Sequence, residues 1–159
     1  MTAIPVKAGM TVCFTRQPQY MTDQDIIDQL NAHTPGFIHM LGGRVVALDQ
    51  QEKTCTFEFD VSTDFCHSID VVQGGFITAM LDATMSHALF GHFPGEIVGV
   101  SSLEIKTSFL ESTRAGRLRV VGKILKAAYK TAFLEAHMYN DEGVLTATAS
   151  SVAKLVRQK

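Results

Sequence analysis

At 159 residues, with 46% hydrophobic and 19% charged side chains, the chain has the composition of one globular domain that can bury a core without a disulfide or metal staple. A net charge of −2 gives no overall pull toward nucleic acid or an anionic membrane, so any anion site must be a local patch. Cys13, Cys55 and Cys66 are odd in number and lack a CxxC spacing, no apolar run is as long as a membrane span, and residues 1–10 lack a signal-peptide core; a soluble, cytoplasmic protein with reduced thiols is expected.

Residues 1–20 carry Pro5, Gly9 and Pro18 without a period and read as an arm. Thr22 followed by Asp25 is a helix-start pattern, and Asp23–Asn31 follows as a short helix that Pro35-Gly36 ends. An arm and short helix over 1–36 thus precede a core over 37–156. Val45–Asp49 and Thr54–Val61 read as strands. In the second, Cys55, Phe57, Phe59 and Val61 alternate with polar residues, the pattern of an antiparallel strand with one covered face. After the polar loop 62–70 comes Val71–Phe93, apolar almost all round and stopped by Pro94-Gly95. The remainder is strand-rich. Ile97–Leu110 places Leu103, Ile105, Thr107 and Phe109 on one face, Arg117–Lys126 alternates again, and Thr131–Tyr139 and Val144–Val156 flank the turn residues Asn140–Gly143.

The central segment carries an internal conflict. A helix hydrophobic on every side should be buried, yet it contains Asp82, a residue type that is almost never buried unpaired. Enclosing such a helix takes a sheet curled around it or a second copy of the molecule. The expected class is α+β, with an antiparallel sheet wrapped around one long central helix.

In this arrangement the sequence resembles the hotdog-fold acyl-CoA thioesterases, in particular the PaaI-type branch of the 4-hydroxybenzoyl-CoA thioesterase superfamily. That branch has an Asn or Gln, six residues later a His-Gly-Gly, and an acid nine positions past that His; here His67, Gln73-Gly74-Gly75 and Asp82 stand at those spacings. The segment VSSLEIKTSFLEST resembles the family's next strand and NDEGVLTATASS its last hairpin, so the likeness covers roughly 40–156. Gln73 and His67 depart from the commonest pattern in residue type while keeping hydrogen-bonding capacity.

The resemblance implies hydrolysis of an acyl- or aryl-CoA thioester, with coenzyme A entering as part of the substrate and no metal or other cofactor. Gly74 and Gly75 open a helix whose first N–H groups lack partners and sit at the positive end of its dipole, which suits an oxyanion; a tight loop-to-helix turn would explain the glycines equally. Asp82 is the expected nucleophile or general base, the competing reading being a structural Asp bonded to Ser86. Ser86 and Ser102 resemble supporting hydroxyl positions. Gly74 and Asp82 lie about 12 Å apart along a helix, so one subunit's pair cannot grip one carbonyl. In the family the acid comes from the other subunit, which implies a homodimer or a dimer of dimers. Phe76, Met80 and Met85 are expected around the acyl group, beside Gly75. Among Arg114, Arg117, Arg119, Lys123, Lys126 and Lys130, the last two with Thr131 are candidates for the carrier, against the plainer reading of a solvated strand face.

Two rivals remain. Gly91–Gly95 (GHFPG) is similar to a motif of hotdog dehydratases, although it follows the long helix here and reads as its stop; hydration or dehydration of an acyl thioester is the alternative enzyme. A non-catalytic acyl-CoA-binding protein is the other. Cys66 beside His67 raises a Cys-His nucleophile, but neighbours on a strand face opposite ways, which favours reading Cys66 as a small semi-buried residue at a strand end. His33, His39 and His137 read as structural or surface residues.

Overall fold

The structure, a computed structural model, describes residues 21–158; the arm expected over 1–20, with Cys13, lies outside them. α1 (Asp23–Ala32) starts in a capping box: the Thr22 hydroxyl accepts from the Asp25 N–H and the Asp25 carboxylate accepts from the Thr22 N–H. Pro35-Gly36 ends α1 as expected but also opens a second short helix, α2 (Gly36–Met40), which drives Ile38 into the core. Then follow β1 (Gly43–Asp49), β2 (Thr54–Val61), α3 (Gly74–His92), β3 (Ile97–Phe109), β4 (Gly116–Ala127), β5 (Thr131–Tyr139) and β6 (Leu145–Arg157).

The six strands form one antiparallel sheet in the order β1-β2-β4-β5-β6-β3. α3 lies across its concave face and touches every strand from β2 to β6. The alternation in β2 delivers Cys55, Phe57 and Phe59 to the helix at 1% exposure or less. Burying each such phenylalanine contributes roughly 1.5–3 kcal/mol. Among the described residues no helix is long and apolar enough to cross a membrane.

The expectation for β3 fails at one place. A bulge between Ser102 and Glu104 puts an extra residue into the strand, so Leu103 leaves the inner face and stands 65% exposed. Ser102 takes the inward position instead. β3 is also an edge strand, with Val98 and Phe109 exposed along it.

α3 is apolar all round in composition, but the sheet covers only part of it. Gly75 and Phe76 are exposed and Ala79, Asp82 and Ser86 half-buried, a stripe at helical spacing on the side away from the core. Among the described residues of the single protomer, Asp82 is therefore half-buried rather than fully buried as expected.

Candidate functional site

The start of α3 is held by its own flanks. Gln73 is the N-cap; its backbone N–H reaches the Phe65 carbonyl at 2.9 Å and its side-chain Oε1 accepts the Gly75 N–H at 2.6 Å. Of the two glycines expected to offer donors, Gly75 is therefore engaged. The Gly74 N–H has no acceptor among the described residues. Gly74 lines a cavity of about 510 Å³, with His67, Ile77, Phe109, Glu111 and Thr113. The Phe109 ring lies over Gly74 so closely that an added Cβ would come within 3.0 Å of it. Thr113 is 2% exposed; its carbonyl takes the Val72 N–H at 2.9 Å, and its hydroxyl has no partner among the described residues.

Two turns on, Asp82 meets Ser102. The Ser102 hydroxyl donates to Asp82 Oδ1 at 2.5 Å, a contact that exists because the β3 bulge turns Ser102 inward. Ser86, the partner expected for a purely structural Asp82, makes no hydrogen bond to it. A second strut, Thr78 to Thr107 at 3.1 Å, ties α3 to β3 between Gly74 and Asp82.

Other expected residues fall differently. Met80 and Met85 are fully buried between helix and sheet, so neither is available to an acyl group in the protomer. Phe76 is 39% exposed and packs edge-to-face on Phe65 at 4.9 Å. His67 is exposed at the cavity wall, and the Gln73 side chain is taken up by the cap. The basic residues of 114–130 do not form one patch. Arg114 pairs with Asp70, Lys123 with Glu52, and Arg119 stacks on Tyr139. Lys126, Lys130 and Thr131 sit at the opposite end of β4 from the Gly74 cavity, roughly 36 Å along a 12-residue strand. His92 closes α3, its ring nitrogens 2.7 and 3.0 Å from the Ala88 and Asp49 carbonyls, which agrees with its reading as a helix stop.

Sequence reasoning missed Phe109, Thr113 and His87. Phe109 ends an alternating run, the one signal that could have placed it over Gly74. His87 is 6% exposed, with its Nδ1–H donated to the Ala83 carbonyl at 2.8 Å and its ring edge-on to Phe57 and Phe90. Burial pushes its pKa below the ordinary value of 6.5, opposed by the Ala83 bond. A depressed histidine pKa means that the unfolded chain takes up the proton first on acidification. The contribution is therefore complete above pH 6.5 and is lost as pH falls below 6.5 toward the lower folded-state value. In urea titrations between pH 7.5 and 5, His87→Phe should lose less stability than the wild type; parallel losses would contradict this.

Residues 70–147 match the sequence pattern of the thioesterase superfamily. No curated protein matches the chain. Among solved structures, a phenylacetic acid degradation-related protein from Ralstonia eutropha is similar at 23% identity and a TM-score of 0.73, covering 81% of this chain and 98% of its own. A Gln-to-Ala variant of a Pseudomonas aeruginosa thioesterase is similar at 20% identity and a TM-score of 0.73, covering 83% and 94%. The PaaI protein of the Escherichia coli phenylacetic acid degradation operon follows at 16% and 0.72, covering 85% and 96%. At these identities the structures carry the fold, which is the hotdog. The chain therefore has the hotdog fold, and its residues 70–147 carry the sequence pattern of the thioesterase superfamily.

Proposed function

We propose that the protein is an acyl-CoA thioesterase that works as a homodimer built on the β3 edge. The observation that carries this reading is the unpartnered Gly74 N–H at the start of a 19-residue helix, set in a cavity wall. Such an N–H can bind the oxygen of a thioester carbonyl as it gains charge, and donors of this kind are worth roughly 2.7–4 kcal/mol. Water adds to the carbonyl carbon and gives its proton to Asp82. The tetrahedral intermediate then collapses, the carbon–sulfur bond breaks, and the thiolate of coenzyme A leaves and takes up the proton that Asp82 received, which restores the carboxylate. With Oδ1 held by Ser102, Oδ2 of Asp82 is left to take that proton, which favours general-base action over direct attack.

The two groups belong to different sites. Phe109 marks the Gly74 level of β3 and Ser102 the Asp82 level. A two-fold axis pairing β3 antiparallel with its copy near Ile105 and Lys106 would set each Phe109 beside the partner's Ser102, and so each Gly74 opposite the partner's Asp82. The exposed apolar residues on this 13-residue edge strand suit such pairing. The same operation would improve the carrier site. Thr131 pairs with Lys154, which pairs with Ser101, so the turn bearing Lys130 lies at the β3 end brought to the partner's Gly74 cavity. Lys126 and Lys130 would then meet the phosphates of coenzyme A, and the acyl group would rest near Phe76. A dimer of dimers is the larger assembly this reading allows, and the cytoplasm the compartment it suits.

The test is thiol release from a panel of acyl- and aryl-CoA substrates, read with a thiol reagent, with the oligomeric state measured alongside. Release from a subset of the panel by a dimer or tetramer is expected. Tight acyl-CoA binding without release would favour a binding protein, and hydration of an enoyl-CoA without release would favour the hydratase.

A further inference from the structure

A second cavity, of about 410 Å³, lies at the other end of α3 from Gly74. Ile26 and Leu30 of α1, Phe90 of α3, and Pro94 and Ile97 beyond it supply apolar walls, and His87 is among its lining residues. The size falls within the range of small-molecule sites, and a mostly apolar wall with one or few fixed polar groups is their usual construction. Gln29 and His33, both exposed, complete the polar lining, and among the described residues no Lys, Arg, Asp or Glu lines it.

His87 gives the cavity its chemistry. Its Nδ1–H is committed to the Ala83 carbonyl, which in the neutral ring leaves Nε2 as a lone-pair acceptor. Among the described residues Nε2 has no hydrogen-bond partner, although His87 is 6% exposed. Phe57 and Phe90 stand edge-on to the imidazole at 5.0 and 5.9 Å and fix its plane. The result is one buried, oriented acceptor in a largely apolar chamber. A carboxylate or ammonium ligand would lose its hydration there without gaining a counter-charge, whereas a purely apolar ligand would leave the acceptor unpaired.

The chamber is also distinct from the site of the proposed reaction. His87 follows Asp82 by five residues, about 140° around the helix, and lies roughly 20 Å along the axis from Gly74. None of Asp82, Ser86 or Ser102 lines it.

We propose that this chamber is a second binding site, which takes an uncharged, largely apolar molecule bearing one hydroxyl group, with that hydroxyl donated to His87 Nε2. The inference does not depend on thioester hydrolysis. It is tested on the full chain with 4-ethylphenol and its hydroxyl-free match ethylbenzene, using calorimetry for affinity and ¹⁵N-histidine NMR for the ring. 4-Ethylphenol should bind about five-fold more tightly than ethylbenzene, the factor expected for one net hydrogen bond. It should shift the His87 Nε2 resonance where ethylbenzene does not. His87→Phe should bind both equally, and Leu30→Trp, which fills the chamber, should bind neither. The proposal is overturned if neither compound binds saturably, if 4-ethylphenol binds without moving the Nε2 resonance, or if Leu30→Trp leaves both affinities intact. The wild-type resonance decides the matter even if a variant fails to fold.

Discussion

Asp82→Ala is expected to lower kcat for thioester hydrolysis by about 10³-fold, within the range that a positioned general base contributes. The fold should survive the change. Asp82 is half-buried on the uncovered stripe of α3, its hydrogen bond goes to an exposed serine, and alanine is the better helix former. A loss of rate with unchanged thermal stability would therefore be chemical in origin. KM should move little, because the carboxylate acts on water and the carrier is held elsewhere. Asp82→Asn sharpens the test: it keeps an oxygen for the Ser102 hydroxyl and removes only the proton acceptor, so it should be as slow as the alanine variant. Ser102→Ala leaves the base and frees it to turn, and a loss of roughly ten-fold is expected, smaller than that of removing the base itself. Wild-type turnover by Asp82→Ala would remove Asp82 from the mechanism.

What the sequence conveyed and what it hid divide along physical lines. β2 and β5 were legible to the residue, because a strand with one covered face writes a period of two directly into its side chains. The site's scaffold was legible for a similar reason: an apolar helix opened by two glycines and closed by Pro94-Gly95 admits few alternatives. The bulge in β3 was not. An extra residue in a strand leaves the composition unchanged and shifts only the phase, so Leu103 read as sharing the face of Ile105, Thr107 and Phe109 until the pairing with β6 was known. The burial of Asp82 was misread because apolar in composition is not the same as covered. The stripe through Gly75, Ala79 and Ser86 is apolar or small, yet among the described residues no element lies over it. Met80 shows the converse: its type suits an acyl pocket, but its helix phase aims it at the sheet. Gln73 was singled out as a polar residue that departs from the commonest family pattern. Its work in this structure is to cap α3 and occupy the Gly75 N–H, which leaves Gly74 as the donor without a partner.

Gly122→Ala is expected to lower stability by about 1–3 kcal/mol, the usual cost of forcing extra volume into a packed core. For a chain of this length that corresponds to a fall in Tm of roughly 2–12 °C. Gly122 lies mid-sheet, paired with Cys55 on β2 and Ala136 on β5, directly beneath α3. A Cβ there would stand 2.8 Å from the carbonyl carbon and oxygen of Thr84 and 3.0 Å from the Met85 nitrogen. These are backbone atoms of the central helix, so no change of rotamer can relieve the overlap and the helix itself must rise. Gly36→Ala is the control, since nothing lies within 4 Å of its added Cβ and its stability should be unchanged. The consequence for activity follows from what the helix carries. Gly74 and Asp82 both ride on α3, and the Ser102 and Thr78–Thr107 contacts fix it against β3, the strand on which the proposed dimer closes. Lifting the helix off Gly122 would displace the donor of one site and the base of the other together. The folded fraction of Gly122→Ala should thus turn over more slowly than wild type, although no reacting group has been altered. An unchanged Tm would show that the sheet, rather than the helix, gives way.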